Sequence, residues 1–137
     1  MLMSKEFDQE AQEAMKLPPE SAKRIWRSLW RRARGVLPPE REYGFLSWYA
    51  ICLEEEGRRS NVRRLRREAV RVWMQGAREH RTARSLVSLG CALERYGWRG
   101  FARRVFKQAI RCPPGVGDTV SWREQALAGL TRLAEQV

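Results

Sequence analysis

Apolar residues recur along this chain at steps of three and four, the spacing of one face of a helix, and breaks fall between the resulting runs. Residues 4–17 suit a polar helix with Phe7, Ala11, Ala14 and Leu17 along one face. Pro18-Pro19-Glu20 separates it from a second helix over about 21–36, whose inner face holds Trp26, Trp30 and Ala33, and Leu37-Pro38-Pro39-Glu40 closes that pair. A third helix over about 43–56 presents Leu46, Tyr49, Ala50 and Leu53, then breaks at Gly57. The fourth starts near Ser60 or Asn61, both good N-caps, and runs to about Glu79 along Val62, Leu65, Ala69, Trp73, Gly76 and Ala77. Thr82 caps a fifth helix over 83–96, stopped by Gly97, and a sixth covers 99–111 before Pro113-Pro114. After a proline- and glycine-containing linker, 113–120, a last helix begins at Ser121, with Glu124 placed for a capping box. Its expected inner face is Trp122, Ala126, Leu127, Leu130, Leu133 and Ala134.

The small residues carry further information. Leu86, Leu89, Gly90 and Leu93 share one face of the fifth helix, and Ala102, Phe106 and Ala109 share one face of the sixth. Two short helices pack closely only where side chains leave room for the facing helix, and Gly90, Ala102 and Ala109 leave that room. With Pro114, these eight positions resemble the signature of a tetratricopeptide repeat over 83–116. Leu86 and Leu93 replace the family's usual aromatic residues. A divergent first unit, 7–40, matches at Ala14, Leu17, Trp30, Ala33 and Pro38; Glu10 and Glu13 occupy apolar positions, and Trp26 stands for a small residue. A longer second unit, 43–82, carries about seven extra residues and lacks the closing proline. The resemblance implies an all-α single domain spanning 1–137: a right-handed superhelical stack of about three tetratricopeptide-like hairpins, with residues 121–136 as the capping helix. In that cap Arg123, Arg132 and Glu135 face outward.

Composition narrows the function classes. A chain of 137 residues with 43% hydrophobic residues argues against wholesale disorder, despite a mean hydropathy of -0.60. No apolar run approaches the roughly 20 residues that span a bilayer, and the first residues turn acidic at once, so a cytoplasmic protein without membrane insertion is expected. Cys52, Cys91 and Cys112 are widely spaced and odd in number, which fits reduced thiols better than disulfides or a zinc site. The charge is the strongest compositional signal: 27 Lys and Arg face 16 Asp and Glu, for +11, and nearly all the basic residues are arginine. Residues 1–20 hold two basic and five acidic groups, whereas 21–40 hold six basic and one acidic.

Little in the chain points to catalysis. His80 is the only histidine, so no histidine cluster forms, and a helix-end role explains it. Glu54-Glu55-Glu56 reads as a solvated helix end, and the Gly115-Val116-Gly117-Asp118 linker lacks the lysine of a phosphate loop. The chain is therefore read as non-enzymatic, with no cofactor and no metal.

Two binding surfaces follow instead. The repeat resemblance implies an inner groove lined by first helices, with Ser47, Ile51, Glu54 and Glu55 in the middle unit and Arg84, Val87, Ser88, Cys91, Glu94 and Arg95 in the third. Such a groove receives a segment of a partner protein, although the lysine- and asparagine-rich clamp of some relatives is absent. Trp48 and Trp98 are candidate exposed anchors. The second surface is a basic ridge on the second helices: Arg27 and Arg31; Arg63, Arg64, Arg67 and Arg71; and Arg103, Arg104, Lys107 and Arg111. It suits RNA or another polyanion, or it serves as a solubilising face. Protein adaptor is the leading expectation and RNA binding the alternative; self-association stays open.

Overall fold

A computed structural model describes residues 2–112 and 121–135, with side chains from Lys5 onward. Seven α-helices and no strand occur among them: α1 (Leu2–Met15), α2 (Pro19–Ala33), α3 (Pro39–Arg59), α4 (Arg63–Glu79), α5 (Ala83–Tyr96), α6 (Arg99–Arg111) and α7 (Trp122–Glu135). The expected all-α class is observed. Pro113-Pro114 and the 113–120 linker lie outside the described residues. No helix among those described is long and apolar enough to cross a membrane.

Several boundaries differ from expectation for local reasons. The proline pairs start helices as well as separating them. Pro19 and Pro39 occupy the first turns of α2 and α3, where a missing N–H costs nothing and the fixed φ already suits a helix. The carbonyls of Pro18 and Pro38 then accept the opening bonds, from Ala22 N at 2.9 Å and Glu42 N at 3.1 Å. α3 also runs through Gly57 to Arg59. Gly57 serves close approach there: a Cβ would lie 2.7 Å from Arg66 Cγ and 3.1 Å from Arg66 N. α4 begins only at Arg63, because Asn61 takes a left-handed conformation, φ 53°, and makes the turn from α3. At α5 the reading holds closely. Thr82 caps the helix in a reciprocal box with Ser85, and Gly97 ends it at φ 97°.

The chain forms two compact units, Met1–Val72 and Trp73–Val137. In the first, α2 packs against both α1 and α3 around an aromatic interior. Phe7 stacks on Phe45 at 5.9 Å between centroids, Trp26 meets Phe45 at 6.2 Å, and Trp30 stacks on Tyr49 at 6.1 Å. Trp26, which breaks the repeat pattern in sequence, thus fills space between α2 and α3. α1 buries Phe7 and Ala14, and Glu10 holds Arg32 at 2.8 Å while Asp8 holds Arg41. Leu17 departs from the expected face. The chain has left α1 by then, and Leu17 is 42% exposed.

In the second unit α5 and α6 pack as a hairpin, and α7 packs against both. Phe106 is fully buried at their junction. A Cβ built on Gly90 of α5 would come within 2.6 Å of its ring, and so would one on Gly129 of α7. Ala102 and Ala109 are also fully buried, as their small size suggested. On α7 the buried line is Ala126, Gly129 and Leu133. Leu127 and Ala134, expected inside, are exposed, since a 100° step per residue puts them beside that line.

Candidate functional site

The turn between α1 and α2 builds the first recess. Backbone bonds from Lys16 N to Glu13 O and from Leu17 N to Ala14 O end α1, and Pro18 redirects the chain into α2. Met15 and Leu17 are left pointing away from the interior, 58% and 42% exposed. Trp48 and Ile51 of α3 stand across from them, 40% and 37% exposed. These four border one cleft of about 190 Å³, with Glu55 and Arg59 also lining it. Trp48 is held in place: its ring stacks on Trp26 at 5.5 Å and 16°.

Of the residues assigned to an inner groove, Ile51 and Glu55 reach this cleft. Ser47 is half-buried, and its hydroxyl donates back to Tyr43 O at 2.9 Å. Glu54 lies half-buried on the same helix, outside the cleft lining. Met15 was missed by the sequence reading; the signal was an apolar residue two positions before Leu17-Pro18-Pro19. Cys52 forms part of the cleft wall, and burial, aided by Glu55 and Glu56, pushes its thiol up to about 11. It stays protonated at neutral pH, which suits a packing residue and not a nucleophile.

On α5, Arg84, Ser88 and Cys91 are half-buried and Arg95 is exposed. Val87 is only 1% exposed, so it belongs to the core and cannot line an open groove. Glu94 is engaged by Arg132 of α7 through two bonds, Nε–Oε2 at 3.1 Å and Nη2–Oε1 at 2.8 Å. Arg132 is exposed, as expected, and its guanidinium also ties α7 to α5; the bond to Glu94 raises its pKa. Burial pushes the Cys91 thiol up, against the opposing pull of Arg95 and Arg132. All three cysteines are free.

The expected basic positions are exposed without exception: Arg27 and Arg31 on α2; Arg63, Arg64, Arg67 and Arg71 on α4; Arg103, Arg104, Lys107 and Arg111 on α6. Ion pairs are formed at Lys23–Glu56, Arg32–Glu10, Arg58–Glu55 and Arg132–Glu94, among others. Arg27 and Arg31 act on Tyr49, whose hydroxyl donates to Glu68 Oε1 at 3.2 Å. Burial and Glu68 push the phenol pKa up, and the two arginines pull it down. Trp98, 47% exposed, meets Tyr96 edge-on at 5.2 Å and stacks on Phe101 at 6.5 Å.

No family model, curated protein or solved structure matches the chain.

Proposed function

We propose that this chain is a non-enzymatic adaptor of tetratricopeptide-like hairpins, acting in the cytoplasm, that takes apolar side chains of a partner protein's segment into the cleft of its first unit. One observation carries the reading. Met15, Leu17, Trp48 and Ile51 are large, apolar and exposed, and they gather around a single recess instead of scattering over the surface. Trp48 is braced from behind by Trp26, so it is already ordered before a ligand arrives and loses little freedom on binding. Glu55 and Arg59, already paired with each other at 3.8 Å, add one charge of each sign to the rim of the lining. The hairpin of α5 and α6, with Gly90 against Phe106 and α7 covering both helices, supports the repeat assignment. The free cysteines suit a reducing compartment.

The test is affinity capture from nuclease-treated extract with the wild-type chain, a Trp48→Ser/Ile51→Asp variant, and an α6 variant with Arg103, Arg104, Lys107 and Arg111 changed to alanine. A partner retained by the wild type and the α6 variant, lost by the cleft variant, and rebound when purified supports the adaptor. Partners that ignore the cleft substitutions overturn it. The second reading, polyanion binding, draws on the exposed arginines of α2, α4 and α6; it is favoured if every captured component disappears with nuclease.

A further inference from the structure

The second unit holds a larger recess with a different chemistry. It encloses about 370 Å³ between the end of α4, α5 and α6. Leu86, Leu89 and Val105 form an aliphatic floor, and Arg78, Arg81 and Arg104 are the only charged lining residues among those described. All three arginines are exposed, and among the described residues no carboxylate pairs with any of them. Arg104 is oriented by the Phe101 ring, 5.4 Å below its guanidinium.

Three like charges around an apolar recess are unfavourable twice over: the guanidiniums repel one another, and the half-buried Met74 and Phe101 leave part of the apolar lining in contact with water. A ligand relieves both only if it brings several anionic groups together with an aliphatic one. We propose that this recess binds an acidic peptide segment that inserts an aliphatic side chain onto Leu86, Leu89 and Val105 while its carboxylates meet Arg78, Arg81 and Arg104. Guanidinium and carboxylate pair in a planar, two-bond geometry, so arginine is the suitable residue at these positions. Single-stranded nucleic acid fits less well. Its bases need free aromatic faces to stack on, and the ring of Phe101 is already engaged by Arg104 and Trp98. A ligand with one carboxylate would leave the other guanidiniums without a partner.

The inference is independent of the cleft beside Trp48, and its variants touch none of that cleft's residues. The full chain is titrated, at near-physiological salt, into a fluorescent peptide of glutamates interrupted by two leucines, with anisotropy as the readout. Two further probes are the same peptide with serine for leucine and an oligouridine. Arg78→Ala and Arg104→Ala should each weaken peptide binding about tenfold, in the range expected for losing a charge-assisted hydrogen bond. Arg103→Ala, which removes the same charge outside the recess, should change it by no more than about twofold. The serine peptide should bind at least about tenfold more weakly than the leucine peptide. Equal loss in Arg103→Ala and Arg104→Ala overturns the proposal, as do equal binding of the serine peptide, tighter binding of oligouridine, or no binding of the leucine peptide.

Discussion

A single methyl group tests how the second unit is held together. Phe106 lies between α5 and α7, and a Cβ at position 90 would stand 2.6 Å from Cε1, while one at position 129 would stand 2.6 Å from Cε2. Comfortable carbon contacts need about 3.5–4.0 Å, so either methyl asks the ring to retreat by about 1 Å. Cε1 and Cε2 are opposite edges of one ring. Retreat from one glycine drives the ring into the other, and the fully buried side chain has no solvent side to move toward. Overpacking of this kind costs about 1–3 kcal/mol, while replacing a helical glycine by alanine returns up to about 1 kcal/mol of helix propensity. Gly90→Ala and Gly129→Ala should therefore each destabilise by about 1 kcal/mol net. Gly100→Ala is the matched control. That glycine sits on α6 with nothing within 4 Å of a built Cβ, so only the propensity gain applies and the variant should be slightly more stable. Urea unfolding followed by circular dichroism gives the midpoint at constant slope. In a Phe106→Leu background the penalty at position 90 should largely vanish, a coupling above about 0.5 kcal/mol in the double-mutant cycle. If Gly90→Ala stabilises as Gly100→Ala does, or adds independently to Phe106→Leu, the ring does not set the helix spacing.

Ala102→Trp, at a fully buried position of α6, should destabilise by about 1–3 kcal/mol or more, and a shift below about 0.5 kcal/mol in urea would contradict close helix contact there. Thr82→Ala removes half of the reciprocal cap on α5 and should cost about 1 kcal/mol, measured the same way; an unchanged midpoint would mean that the cap contributes nothing. The Cys52 thiol, pushed up to about 11, is protonated in the fold while the unfolded thiol ionises near 9. Its contribution is complete below pH about 9 and is lost as pH rises toward about 11, so Cys52→Ala should decline less steeply than wild type over that window, and parallel curves would refute the assignment. If the exposed bases of α6 bind RNA, affinity should fall steeply with salt, and alanine at Arg103, Arg104, Lys107 and Arg111 together should flatten that slope more than Arg95→Ala does.

Where a boundary depends on neighbouring residues alone, it was readable from the chain. Thr82, Ser85 and Gly97 supply their own caps, and α5 and α6 fall where these signals and the small residues indicate. Where a residue's role depends on a distant contact, the reading failed. Gly57 looks like a stop until Arg66 is seen against it, and Val87 looks like groove until its burial is known. Gly129 went unnoticed because a glycine carries no weight in a hydrophobic pattern, although its spacing from Ala126 and Leu133 marks the same face. The cleft of the first unit was half legible. Ile51 and the exposed Trp48 follow from α3 alone, whereas Met15 and Leu17 join them only through the turn before α2. Arg78 and Arg81 were not singled out from the chain, because nothing local reveals the aliphatic floor beside them.

The exposed bases of α2, α4 and α6 are arginine at every position except Lys107, and this fixes how their charge can be controlled. A guanidinium is a permanent cation in water, so no cellular pH swing discharges these faces. Acetylation, the usual means of neutralising a lysine-rich surface, finds only Lys5, Lys16, Lys23 and Lys107 as side-chain targets, and Lys23 is already engaged with Glu56. The positive field is in effect permanent. Any traffic with acidic partners is then governed by competition and ionic strength, with release caused by a better anion and not by switching the protein itself.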